Sequence, residues 1–398
     1  MRITRPGHRT QRRAAVAVLT AVSLVMIFAF AAIAIDLGQM YAARAELQRA
    51  ADAAALAGAS AYFTDEGLAR DPSEVEYAVH ERAKEFSYRN ETRKAGTLLE
   101  DADITLGYHD FQHPRAPLDT SGDQPFNAVE VIVRRTPGSA NGPIAFLFAR
   151  AFGRHEGGVT ARAVASVNDQ FSGFDTESRD FPTLIPITIN VALYDDMLLS
   201  SGTDEYMYDG SVGRGSDGVN EVKLYPWRIK TTKNRGYRLS SGDTVYEPEG
   251  AGNFGLLDFG GVDAATASTN ILNGISGDLI TNVFGDTTIE YFNDSGDPVT
   301  YPIPGATGMT TSIKAALDQR IGDVVGFFVH DDAVKMGSNA VYRNVGLRFA
   351  RIMKVDITSG PNGEGLVVQP VPYAGGSVVV NDGAPSTHRQ LGRVLLTE

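Results

Sequence analysis

The chain contains no cysteine and a single tryptophan, Trp227, in 398 residues. Without thiols there is no disulfide scaffold, no zinc ribbon and no cysteine nucleophile. Concentrated Lys and Arg are also missing: 36 cationic residues stand against 48 acidic ones, a formal net charge of −12. That excludes a general nucleic-acid binder, because phosphate affinity rests on clustered cations. Acids are absent altogether before Asp36, a stretch that carries Arg2, Arg5, Arg9, Arg12 and Arg13. The rest of the chain then holds 31 cations and 48 acids, a net of −17. The two ends of the protein face different surroundings.

The basic stretch leads into 22 residues, AAVAVLTAVSLVMIFAFAAIAI from Ala14 to Ile35, in which Thr20 and Ser23 are the only polar side chains. As a helix this run is about 33 Å long, enough to cross a hydrocarbon layer of about 30 Å. Arg12 and Arg13 before it and Asp36 after it predict the orientation. Residues 1–13 form a basic cytoplasmic tail, 14–35 span the cell (inner) membrane in contact with its lipid, and the remainder is periplasmic or extracellular. Ala32 and Ala34 also offer a signal-peptide cleavage site. The apolar run, however, exceeds the roughly 7 to 15 residues of a signal h-region.

From Asp36 to Phe63 the sequence runs on without proline and is rich in Ala, Leu, Gln, Glu and Arg. These are good helix formers, so span and stalk read as one rod. Leu37, Met40, Tyr41, Leu47, Ala51, Ala54 and Gly58 recur at three- and four-residue spacing and predict its packing face. Small side chains on such a face let another backbone approach closely. The expected partner is the domain that follows, with a helix of another protein as the alternative.

The Arg12-Arg13 pair and AIDLGQMYAARAELQRAADAAALAGA from Ala34 to Ala59 resemble the TadG-like, and more loosely the TadE-like, proteins of Flp or tight-adherence pilus assembly. FNAVEVIVRRT (126–136), GPIAFLFARAFG (142–153) and VTARAVASV (159–167) look like the strand, helix and strand that close the unit in that family. GNFGLLDFGG (252–261) and VGLRFARIMKVDIT (345–358) are similar to its C-terminal region. The resemblance implies a bacterial, membrane-anchored assembly component whose partners are other pilus or envelope proteins. It also suggests self-association into a homo-oligomer or filament. Many longer TadG-like chains carry a von Willebrand A domain, but its Asp-x-Ser-x-Ser signature is absent here.

Downstream, Asp71, Pro72 and Glu74 read as a helix start, and Val75, Val79, Ala83 and Phe86 as its apolar stripe. Strands are expected at 104–108, 128–134 and 159–167, with a short aromatic helix at 143–152 and a Pro-rich loop at 109–125. The fold class is α+β: a stalk helix plus small α+β domain over 36–170, then a β-rich exported domain over 171–398. In the second part strands are expected at 184–192, 221–229, 287–291, 324–330, 345–356 and 365–371. Helices are expected at 264–279 and 311–320.

Candidate chemistry reduces to a few residues. Asp119, Ser121, Asp123 and Glu130 have calcium-loop spacing, but Gln124 stands where the turn needs Gly, so a polar turn is expected. His109 and His113 are four apart in a loop that Pro114 keeps from being helical. His330, Asp331 and Asp332 end an apolar strand without a nucleophile-elbow serine. The glycines of 210–218 lack a phosphate-loop context. No catalytic, metal or cofactor residue is therefore assigned. The expected function is a non-enzymatic pilus-assembly component acting through protein contacts. The alternatives are a pilin-like filament subunit and, on the strength of the loop carboxylates and His330, an anchored periplasmic hydrolase.

Overall fold

The computed structural model describes residues 8–64, 67–68, 72–177, 183–224, 236–246, 254–293, 295–306, 308, 310–334, 340–356, 365–381, 383–387 and 390–397. Asp71 and Trp227 lie outside the described residues, as do the side chains of Arg12 and Arg13.

One helix, α1, runs unbroken from His8–Ser60. From Val16 to Ile35 it is largely bare: Leu19, Val25, Phe28 and Phe30 are each more than two-thirds exposed. Thr20 returns its hydroxyl to the Val16 carbonyl at 2.9 Å, so even this polar side chain is satisfied within the helix. The second half is covered. A second helix, α2 (Pro72–Arg89), lies beside it, and both rest on one face of a five-stranded sheet.

That sheet has the order Tyr373–Ala374, Leu391–Leu396, Val159–Asn168, Ala128–Arg135, Ile104–Gly107. The central pair is antiparallel with Val131 opposite Ala163, and Val129, Val131 and Val133 alternate toward the helices. On the neighbouring strand Ala161, Ala163 and Ala165 meet the alanines of α1, small against small, so the helix sits close to the sheet. Each buried Val or Leu here contributes about 1.5–3 kcal/mol of burial. Of the stripe expected on α2, Val75, Val79 and Ala83 are buried, while Phe86 is exposed and Ser87 takes the inward position. Ser87 bonds the Thr97 carbonyl at 3.0 Å.

The second sheet has the order Val222–Leu224, Gly365–Pro370, Val341–Asp356, Val324–Val334, Leu184–Asn190, Phe254–Leu256, with Tyr301–Pro304 pairing the far end of Val341–Asp356. All its pairings are antiparallel except Val324–Val334 with Leu184–Asn190. Both faces are buried. Ile185, Ile187, Phe327 and Ile352 pack beneath the helices Ala264–Asn273 and Thr311–Asp318. Leu184, Phe328, Leu347 and Phe349 pack against a three-stranded sheet formed by Thr288–Glu290, Phe171–Asp175 and Val378–Val380.

Three expectations need correction. The aromatic helix at 143–152 is instead a strand, Ile144–Ala145, followed by the single 3-10 turn Ala149–Phe152. The helix at 264–279 is two helices, Ala264–Asn273 and Gly277–Phe284, because Gly274 adopts φ +84° and ends the first. Residues 391–396, expected in the second domain, form a strand of the first sheet, with Arg393 opposite Asn168 and Leu396 opposite Ala165. The chain therefore returns to the sheet that its earlier strands built.

Candidate membrane-proximal site

Asp36 is the first charged residue after the apolar run, and it does not face solvent. It is 5% exposed, turned from α1 toward the segment 147–149. Its carboxylate accepts three consecutive backbone N–H groups: Leu147 at 2.8 Å, Phe148 at 3.1 Å and Ala149 at 2.6 Å. These donors precede and open the 3-10 turn Ala149–Phe152, where N–H groups have no partner within the turn itself. Asp36 thus acts as an N-terminal cap delivered from another element. Burial is the largest influence on its carboxyl and acts upward; the bonds from Leu147, Ala149 and Phe148 together outweigh it and hold the group below the ordinary carboxylate range.

The capped turn lies in a hairpin whose two short strands, Ile144–Ala145 and Glu156–Gly157, pair antiparallel. Its stem is set one helical turn beyond Asp36. Around Gly157, the space a Cβ would fill is taken by Phe146 Cζ at 2.6 Å and Met40 Cε at 3.2 Å, so a larger residue there would push these two side-chain ends aside where the stem meets α1. A further turn away, Arg93 donates its backbone N–H to Glu46 at 2.8 Å and its guanidinium to Gln39 at 3.1 Å. Arg93 and Lys94 both have positive φ, as a two-residue hairpin turn demands, so the strained tip of Glu91–Gly96 is held against α1.

Of the packing face expected on α1, Leu47, Ala51, Ala54 and Gly58 are buried and Met40 is partly so. A Cβ on Gly58 would stand 3.3 Å from Val129 and 3.4 Å from Val79 and Ala83, so the helix approaches both the sheet and α2 closely here. Leu37 and Tyr41 do not belong to that face: they are 52% and 70% exposed. Each residue turns the helix by about 100°, so the inward line runs through Asp36, Met40, Ala43 and Leu47 and leaves positions 37 and 41 outside it. In the sequence, the four- and three-residue spacing of Asp36 to Met40 and Ala43 is the signal that places Asp36 on the inward face.

The other candidates are structural in their contacts. His330 is buried, with Nδ1 2.9 Å from the Thr188 hydroxyl and its ring against Tyr342, while Asp331 pairs with Arg343. His109 is buried in the loop edge-on to Phe111, and His113 is exposed and bonded to Asp110. Asp119 accepts the Ser121 N–H and Ser121 Oγ accepts the Asp123 N–H, a polar turn closed on itself, while Glu130 is engaged by Arg162. No three metal-ligating side chains converge among the described residues.

Residues 14–61 match the Tad family model, described as "Putative Flp pilus-assembly TadE/G-like". The matched TadE/G-like segment coincides with the bare and covered halves of α1 and ends where the 3-10 turn Ala61–Phe63 begins. Asp36 lies near its middle. The strands and hairpin at 126–167 and the segments 252–261 and 345–358 lie beyond it. No curated protein and no solved structure matches the chain. The TadE/G-like segment points to a role in pilus assembly, and its one long apolar helix fits a single-pass membrane protein.

Proposed function

We propose that the protein is a non-enzymatic, membrane-anchored component of an Flp or Tad-type pilus-assembly system, acting through protein contacts of its exported body. The observation that carries this reading is the division of one continuous helix within the TadE/G-like match. Residues 16–35 are apolar and uncovered, and residues after Asp36 pack on a folded sheet. A bare apolar helix of this length is soluble only in lipid or against other apolar helices. The five arginines before it favour a cytoplasmic N-terminus, with residues 36–398 across the inner membrane.

Replacing residues 1–35 by a cleavable secretory signal tests the anchor. The expected result is a soluble exported body and loss of displayed pili; unchanged display would overturn the reading. A pilin-like filament subunit is the second reading, favoured by the same geometry of a protruding apolar helix backed by an antiparallel sheet. Recovery of the full chain in sheared filaments would select it, and recovery in washed membranes alone would reject it.

A further inference from the structure

The hairpin at 144–157 carries an apolar tip with nothing in the described structure covering it. Leu147, Phe148 and Phe152 are 62%, 44% and 73% exposed. Arg150 and Arg154 are exposed among them, on a body whose net charge is otherwise strongly negative. A solvated loop tip does not ordinarily collect three large apolar side chains. Their placement relative to α1 explains the composition.

Two contacts give the hairpin a direction. Its stem touches α1 at Met40, through Gly157 and Phe146, and its tip touches α1 at Asp36, through the N–H groups of Leu147, Phe148 and Ala149. Passing from stem to tip therefore moves down α1 by one turn, about 5.4 Å, toward the apolar run. Asp36 adjoins Ile35, the last residue of that run. The tip is held at the level where the helix leaves hydrocarbon.

Resting on the anchored reading above, we infer that the tip of residues 147–154 is a second membrane contact, inserted in the headgroup and upper acyl region of the leaflet facing the exported body. Aromatic and long apolar side chains are favoured at this depth, and arginines there reach the phosphates of the headgroups. Asp36 then has a positioning role. By capping the tip it fixes the depth of the hairpin and, through it, the angle of the folded body to the bilayer. Two contacts on one rigid unit hold an orientation that a single helix leaves free to swivel.

The test uses the full-length chain in vesicles of phosphatidylcholine with phosphatidylglycerol, in a Trp227→Phe background. Single tryptophans are placed by Phe152→Trp, by Leu147→Trp as a second tip position, by Phe28→Trp in the apolar run and by Tyr77→Trp on α2. All four positions are exposed, so the substitutions disturb little packing. Lipids brominated in the upper acyl chain are expected to quench Trp at 28, 147 and 152 and to leave Trp at 77 bright. Quenching at 28 without quenching at either tip position overturns the tip contact and leaves the anchor standing. No quenching at 28 overturns the anchor, and the tip contact with it.

Discussion

Asp36 and Ala149 are 113 residues apart in sequence and joined by a 2.6 Å bond from the Ala149 backbone N–H to the Asp36 carboxylate. This bond, with its neighbours from Leu147 and Phe148, couples the exit of the apolar run to a hairpin of the folded body. A buried carboxylate is unfavourable unless its lone pairs are engaged, and three N–H donors engage them here.

Replacing Asp36 with Ala removes the acceptor of all three N–H groups. Hydrogen exchange on the detergent-solubilised protein is expected to show loss of protection at Leu147, Phe148 and Ala149, with strand Val159–Asn168 unaffected. Because the folded carboxyl sits below its ordinary value, the wild-type contribution is present above the unfolded pKa of about 3.9. It is lost as pH falls through the lower folded value, so wild type and Asp36→Ala converge on acidification. Equal protection in the two proteins at neutral pH would show that the cap does not hold the hairpin.

Gly58 and Tyr41 test which side of α1 is packed. Leu at Gly58 must displace Val129, Val79 and Ala83, and is expected to destabilise the body by about 1–3 kcal/mol or more. Ala at Tyr41, an exposed position, should change stability by no more than about 0.5 kcal/mol. Denaturant unfolding of a chain beginning at Asp36 compares the two; a larger effect at Tyr41 would reverse the assignment.

Deleting residues 391–398 strips the strand beside Val159–Asn168 and the Thr397 N–H bond to the Val164 carbonyl. The buried Leu391 leaves the core as well. Exchange at the amides of 164–168 should accelerate although the deletion lies more than 200 residues away. Unaltered exchange there would mean that the first sheet does not depend on the C-terminal strand.

Glu221 is fully buried and accepts the N–H groups of Glu205 at 2.8 Å and Tyr206 at 2.7 Å. Burial nevertheless dominates and, with Asp204 nearby, raises its carboxyl above the usual value against the pull of those two bonds. A carboxyl raised on folding contributes most when protonated, below about pH 4.3, and that contribution is lost as pH rises through the folded value. The stability of wild type relative to Glu221→Gln should therefore fall as pH rises above the unfolded value of about 4.3. A difference that grows over this range would contradict the assigned direction.

Much of the architecture follows from local pattern. The unbroken helix and the alternation of Val129, Val131 and Val133 read from spacing, because periods of 3.6 and 2 are properties of a single element, and the fully buried strands Leu184–Asn190 and Gly365–Pro370 read as short apolar runs. The 143–152 segment defied this reading: its apolar residues suggested a helix, yet its backbone is capped from outside, Ile144 alone reaches the core and Leu147, Phe148 and Phe152 stay exposed.

The sequence by itself determined that an apolar rod of membrane-crossing length is joined without a break to an amphipathic helix, since hydropathy and helix propensity are additive along the chain. It also carried the TadE/G-like signature of residues 14–61. Only the tertiary structure decided that Asp36 turns inward, that Tyr41 turns outward and that Leu391–Leu396 closes the first sheet. Each depends on a partner more than a hundred residues distant or on the rotational setting of a helix against a sheet. Such partners are selected by packing and hydrogen-bond satisfaction over the whole body, which no local window of sequence contains.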